Sequence, residues 1–287
     1  MPDSHVMTLA DDRDLGWLEL GEPTGWPVFG FHGTPGSRLQ LALASAPSSG
    51  AGVRLILVDR PGYGLSSFQP GRRLVDWPAD VAQLADHLGL KRFSVFGVSG
   101  GGPHSAVCAA RLGDRVALAA IVSGVGPLSE PGAAEGMMRT NQVIAHLARR
   151  RSKLLHVTSA AQTAVVRRWP NRAVDLMAKR LPPADVEILQ RPEVRALFVN
   201  DMRRSSHTAS RAAAQDFEVF ASPWGFELSE IAVPVHLWQG DEDRNVPASH
   251  ARLQHEAIPG SVLHECPGEG HLLVVDHLGE ILAAITP

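Results

Sequence analysis

Four apolar runs, Pro27 to Phe31, Arg54 to Val58, Phe93 to Val98 and Ala117 to Val122, alternate with helical patterns through the first half of the chain. Their apolarity is continuous rather than alternating, which suits strands buried on both faces of a parallel sheet. Between them, Trp77 to Leu88 places Val81, Leu84, Ala85 and Leu88 on one helical face. Val6 to Leu9 and Leu15 to Leu20 flank the polar turn Asp11-Asp12-Arg13-Asp14 and read as a hairpin. From Ser129 to about Pro223 the spacing is helical, with no convincing strand. Strand-like runs resume at Val233 to Trp238 and Val262 to Glu265, and a final helix is expected near Gly279 to Ile285. These eight runs predict an α/β fold, a mostly parallel sheet with helices on both faces. Residues 1–127 and 226–287 then form one core domain, and 128–225 a helical insertion between two strands of its sheet.

A chain of 287 residues, 44% hydrophobic and 20% charged, is long enough for a large core and too apolar for whole-chain disorder. The net charge of −3 argues against a dedicated nucleic-acid binder. Two cysteines, Cys108 and Cys266, are too few for a disulfide scaffold or a cysteine-rich zinc site. The longest apolar run, Val116 to Val122, is too short to cross a bilayer, and Met1-Pro2-Asp3-Ser4-His5 lacks the basic and apolar regions of a secretory signal. The expectation is a soluble, cytoplasmic protein with a small-molecule substrate and no nucleic-acid or membrane partner. Charge is unevenly spread: residues 128–225 hold 15 basic and 9 acidic side chains, a balance of +6, and the remainder carries −9. The densest cluster, Arg149-Arg150-Arg151-Ser152-Lys153, reads as a solvated helix face. The basic insertion can draw in anionic substrates, pair with the acidic body or direct a homodimer, and the sequence does not choose among these.

Gly97-Val98-Ser99-Gly100-Gly101 fits G-x-S-x-G and lies between a strand and a helix. In that context a sharp turn lifts the serine hydroxyl above the sheet, small residues two places either side avoid collision, and the helix N-terminus favours a developing oxyanion. A serine nucleophile needs a base, and the base needs an orienting carboxylate. His271 follows Gly268-Glu269-Gly270 just past a strand; Asp241 and Asp243 follow the strand before it and compete for the carboxylate role. The chain order serine, acid, histidine is the one expected for this elbow. Gly100 should supply one oxyanion N–H; Gly33, Thr34 and Gly36 of Phe31-His32-Gly33-Thr34-Pro35-Gly36 are candidates for the second, since Pro35 has none. The Asp241-Glu242-Asp243 cluster lacks a second carboxylate group at cation-binding spacing, so no metal is expected.

His32 to Ser37, Asp59-Arg60-Pro61-Gly62-Tyr63-Gly64-Leu65-Ser66, the elbow, Gly240-x-x-Asp243-x-x-Val246-Pro247 and Gly270-His271 together resemble the α/β-hydrolase superfamily. The resemblance implies that family's fold, with residues 128–225 as its helical cap. It also implies Asp243 as the acid, Thr34 as the second oxyanion donor, and a structural role for the turn from Asp59 to Ser66. The expected activity is cofactor-independent hydrolysis of an ester, thioester or lactone by Ser99, His271 and Asp243. Amide or peptide hydrolysis and cofactor-free haloperoxidase or perhydrolase chemistry use the same triad. A slow-turnover receptor or scaffold is the alternative of another class. Met137, Met138, Phe198, Phe217 and Trp224 are candidates for the pocket roof, although packing within the cap explains them equally well.

Overall fold

The structure, a computed structural model, describes residues 4–44, 52–204 and 208–287. Eight strands form one sheet: β1 Ser4–Thr8, β2 Asp14–Gly21, β3 Trp26–Phe31, β4 Val53–Val58, β5 Phe93–Val98, β6 Val116–Val122, β7 Val235–Gly240 and β8 Val262–Cys266. Their spatial order is β1-β2-β4-β3-β5-β6-β7-β8. The β1–β2 and β2–β4 pairs are antiparallel, and every later pair is parallel.

Alternate residues of the central strands enter two separate cores, which is why their apolarity is unbroken. Phe29, Ile56, Phe93, Val95 and Ile121 face one side, packed with Val81 and Leu84 of α1 (Trp77–His87) and with Ala106 and Val107 of α2 (Gly102–Arg111). Val28, Leu55, Phe96, Val98 and Val122 face the other, against Leu278, Ile281 and Leu282 of the C-terminal helix Val274–Ala284. That helix begins five residues before the expected Gly279. A Cβ at Gly279 would meet nothing within 4 Å, so this glycine is an exposed helix-interior residue rather than a boundary. Strand β7 starts two residues later than expected; Pro234 just before it has no N–H and supplies only its carbonyl, to Ala119.

Between β6 and β7 the described residues form helices α3 Arg139–Arg149, α4 Lys153–Arg168, α5 Pro170–Ala178, α6 Pro183–Gln190, α7 Pro192–Arg204 and α8 Ala209–Phe220. Helix α9, Ala248–Ala257, separates β7 from β8, and Val274–Ala284 is α10. No helix among the described residues is long and apolar enough to cross a membrane.

Candidate active site

The loops that follow β3, β5, β7 and β8 carry the site residues expected from the sequence. They lie past the carboxyl ends of parallel strands, where open α/β sheets bind ligands. After β5, Ser99 takes φ +54, a left-handed conformation that a non-glycine residue adopts only under constraint. The chain passes directly through a short 3₁₀ turn into α2. A Cβ on Gly97 would sit 2.0 Å from the Gly101 carbonyl oxygen, and one on Gly101 would sit 2.2 Å from that of Phe31. Both glycines are therefore required by backbone crowding at the elbow.

The loop after β8 places His271 against Asp243, with 2.7 Å between Nδ1 and Oδ2. A carboxylate can only accept, so Nδ1 carries the proton and Nε2 is left as the basic nitrogen. Asp243 is buried, and its Oδ1 accepts from the Asn245 and Val246 N–H groups at 2.8 and 2.9 Å. Asp241, the competing acid, is exposed and instead accepts from the Gly268 N–H. Burial disfavours a charged His271, but the charge and hydrogen bond of Asp243, with Asp185 behind them, outweigh it and raise the imidazole above its ordinary value. Ser99 and His271 are not hydrogen-bonded to each other in this structure. In unliganded sites such bonds commonly tighten only when substrate is bound.

The loop after β3 lies beside the elbow. A Cβ on Gly33 would come within 3.4 Å of the Ser99 Cβ, and one on Gly100 would lie 2.3 Å from Thr34 Oγ1. Thr34 and Gly100 are thus neighbours, as a pair of oxyanion donors must be. Gly33 drops out as a donor because its N–H is given to Gln40 Oε1 at 2.8 Å. His32 is buried and neutral: burial and Arg60 push it well below its ordinary value. Its Nδ1–H donates to the Gly33 carbonyl, and its Nε2 accepts the Arg60 N–H. The turn from Asp59 to Ser66 braces the site, with Asp59 accepting from the Arg38 N–H, the Arg38 guanidinium and the Leu65 N–H.

Three buried aspartates of the helical insertion, none singled out by the sequence, each hold one of these loops. Asp185 on α6 accepts from the His271 and Leu272 N–H groups at 3.0 and 2.7 Å. It approaches so closely that a Cβ on Gly270 would fall 2.4 Å from its carboxyl carbon. Asp201 on α7 accepts from Ser37 Oγ, and burial pushes its carboxyl up to about 6. Asp216 on α8 accepts from Thr34 Oγ1 at 2.6 Å, Arg60 Nη1 at 2.7 Å, Tyr63 OH at 2.8 Å and Arg72 Nη2. Burial alone would raise the Asp216 carboxyl; Arg60 and Arg72 hold it well below the usual carboxylate range.

Of the roof candidates, Met137 and Trp224 are buried in the main core, and Trp224 stacks on Phe226. Phe198 packs with the small core of Val174, Leu189 and Val199 that also receives Leu272, next to His271. Phe220, which the sequence did not single out, brings its ring within 3.2 Å of where a Gly100 Cβ would stand. Cys266, Glu269 and His277 offer potential metal-ligand atoms within 4.8 Å of one another, with His277 Nε2 already 2.7 Å from Glu269 Oε1.

A family model for the alpha/beta hydrolase fold matches residues 27–278. The chain belongs to this family. Over 107 residues this α/β hydrolase is 32% identical to a probable proline iminopeptidase of Streptomyces coelicolor, an alignment covering 34% of this chain and 33% of that protein. The chain therefore spans about a third of the iminopeptidase's length. It is 26% identical to a non-heme haloperoxidase of Rhodococcus erythropolis, with 92% of each chain covered. The crystal structure of the enol-lactonase from Burkholderia xenovorans superposes with a TM-score of 0.70 over 98% of each chain at 20% identity, a likeness of fold.

Proposed function

We propose that this α/β hydrolase is a serine hydrolase that cleaves an ester, thioester or lactone of a small to medium substrate through an acyl-enzyme. The observation that carries the reading is the His271–Asp243 hydrogen bond in the same set of loops as a serine held at φ +54. Ser99 Oγ attacks the carbonyl carbon while His271 Nε2 takes its proton. Asp243 keeps Nδ1 protonated and favours the imidazolium that forms. The Thr34 and Gly100 N–H groups receive the developing oxyanion, aided by the N-terminus of α2. His271 returns the proton to the leaving alcohol or thiol, and water then releases the acyl group by the same steps in reverse. The insertion serves as a cap over this site, and no resident cofactor takes part in the scheme.

The substrate class is tested with p-nitrophenyl acetate, butyrate and octanoate, an acyl lactone and prolyl p-nitroanilide. Turnover of an ester or the lactone, with the anilide at background, is the expected result. Preferred cleavage of the anilide would transfer the reading to the peptidase class named for the iminopeptidase. Labelling of Ser99 by a fluorophosphonate without turnover of any of these substrates would favour a slow receptor.

The pH profile tests the base. His271 must be neutral to accept a proton, so kcat/KM should fall on the acid side of a pKa lying above the ordinary histidine value of about 6.5. The Asp185 charge favours the protonated imidazole. Asp185→Asn should therefore move the acid limb to lower pH, even if the maximum rate also falls through a looser His271 loop. An unmoved limb would remove Asp185 from the electrostatics of the base.

A further inference from the structure

A cavity of about 410 Å³ opens between the 68–74 segment and helices α4 and α8, and Ser99, Asp243 and His271 are not among its walls. Four arginines line it, Arg72, Arg73, Arg151 and Arg211, together with His156 and a single carboxylate, Glu218. That carboxylate is already engaged, with His156 Nε2 3.0 Å from its Oε1. Arg73 is itself exposed and pairs with the half-buried Asp76 three residues on. Arg151 and Arg211 have no ion pair among the described residues. The wall thus carries a clear excess of positive charge, on a residue type whose forked donors match phosphate and carboxylate groups.

Three of the four guanidiniums, those of Arg72, Arg151 and Arg211, also have bracing contacts before any ligand arrives. Arg211 lies over the Phe68 ring, 4.3 Å from its centroid. Arg151 takes φ +46, unusual for a non-glycine residue, and its Nη2 reaches Ser222 Oγ at 3.4 Å across to the end of α8. Arg72 is only 6% exposed and fixed by Asp216, yet its Nε is buried with no hydrogen-bond partner. Buried donors without partners are rare, and a guanidinium donor cannot solve the problem by losing its proton. Helix α8 turns Arg211, Gln215 and Glu218 towards this cavity, with Ser222 just past its end, while Asp216 and Phe220 serve the Thr34 and Gly100 loops.

We propose that the cavity binds a small, multiply charged anion of the phosphate or polycarboxylate class, gripped by Arg72, Arg73, Arg151 and Arg211 at a site separate from Ser99. Inorganic pyrophosphate and citrate, titrated calorimetrically into the whole protein in 0.15 M NaCl, are the probes. At that ionic strength charges are screened beyond about 8 Å, so diffuse attraction is suppressed. One-to-one binding is expected, and the tighter of the two probes assigns the chemical class. The exposed pair Arg73→Gln/Arg211→Gln should weaken it at least about tenfold. Arg167→Gln/Arg172→Gln, an equal charge change on exposed insertion residues outside the cavity, should leave it unchanged. The proposal is overturned if neither anion binds, or if both double variants weaken binding alike. It is also overturned if prior fluorophosphonate modification of Ser99 abolishes binding, which would put the anion at the catalytic site.

Discussion

Ser99→Ala is expected to lower kcat/KM for the best ester or lactone substrate by at least about 10³-fold, which is ~4 kcal/mol of transition-state stabilisation. The loss is chemical because little in the fold depends on the hydroxyl. Ser99 Oγ makes no hydrogen bond among the described residues, and alanine keeps the Cβ that stands beside Gly33. The close approaches of Gly97, Gly101 and Phe31 around this left-handed residue do not involve its hydroxyl, so alanine leaves them intact. Thermal unfolding should therefore change little while turnover collapses. Some rate above the uncatalysed reaction should persist, since the oxyanion donors and the binding pocket remain. Near-normal turnover in this variant would remove Ser99 from the mechanism.

Asp216→Ala should have the largest effect on stability. Its carboxylate is fully buried and is the shared acceptor for Arg60, Arg72, Thr34 and Tyr63. Removing one partner of a buried ion pair strands the other charge, at a cost of about 3–5 kcal/mol. For a chain of this size that is a fall of roughly 5–15 °C in Tm. The milder Asp216→Asn keeps an acceptor for Thr34 and Tyr63 but leaves both guanidiniums uncompensated, so it should fall between the two. The pH dependence has a definite sign. A carboxylate held below its unfolded value stabilises fully above that value, about 4, and its contribution drains away as pH falls towards the folded-state value. The stability gap between wild type and Asp216→Asn should be flat above pH 5 and narrow below about pH 4. A gap independent of pH down to acid unfolding would mean that the carboxylate's charge is not what the cluster requires. Activity should fall as well, because Thr34 Oγ1 loses its acceptor beside Gly100.

Much of this architecture is written in local pattern. The two-sided burial of β4 and β5 follows from Val-Arg-Leu-Ile-Leu-Val and Phe-Ser-Val-Phe-Gly-Val, whose alternate residues fill opposite cores. The elbow was legible because Gly97 and Gly101 stand two residues either side of Ser99, where the strand-to-helix turn demands small residues. Asp243 over Asp241 was not, since both follow β7; burial and the Asn245 and Val246 N–H groups distinguish them, and only folding reveals those. The insertion's aspartates were wholly hidden. Asp216 meets Thr34 across 182 positions and Asp185 meets His271 across 86, and nothing within a helix marks which acid will turn inward. Gly270 held a trace of this, as the residue that must be small where Asp185 approaches. The late start assigned to the last helix had a simpler cause, a glycine that borders open space.

The uneven charge of the sequence also gains a location. Asp185, Asp201 and Asp216 of the insertion are withdrawn from solvent into contacts with the loops after β8 and β3, while many of its arginines stay exposed or gather round the cavity beside α8. The insertion thus meets the core through buried carboxylates and through Arg191, which pairs with Asp276 of α10, and presents many of its other guanidiniums outward.

The proposed mechanism rests on Ser99 as the nucleophile activated by His271. The most direct measurement is peptide mass spectrometry after brief exposure of the wild type, Ser99→Ala and His271→Ala to a fluorophosphonate. One adduct per chain is expected, on Ser99, absent from Ser99→Ala and formed far more slowly in His271→Ala. An adduct on another residue, or equal labelling of the wild type and His271→Ala, would contradict it.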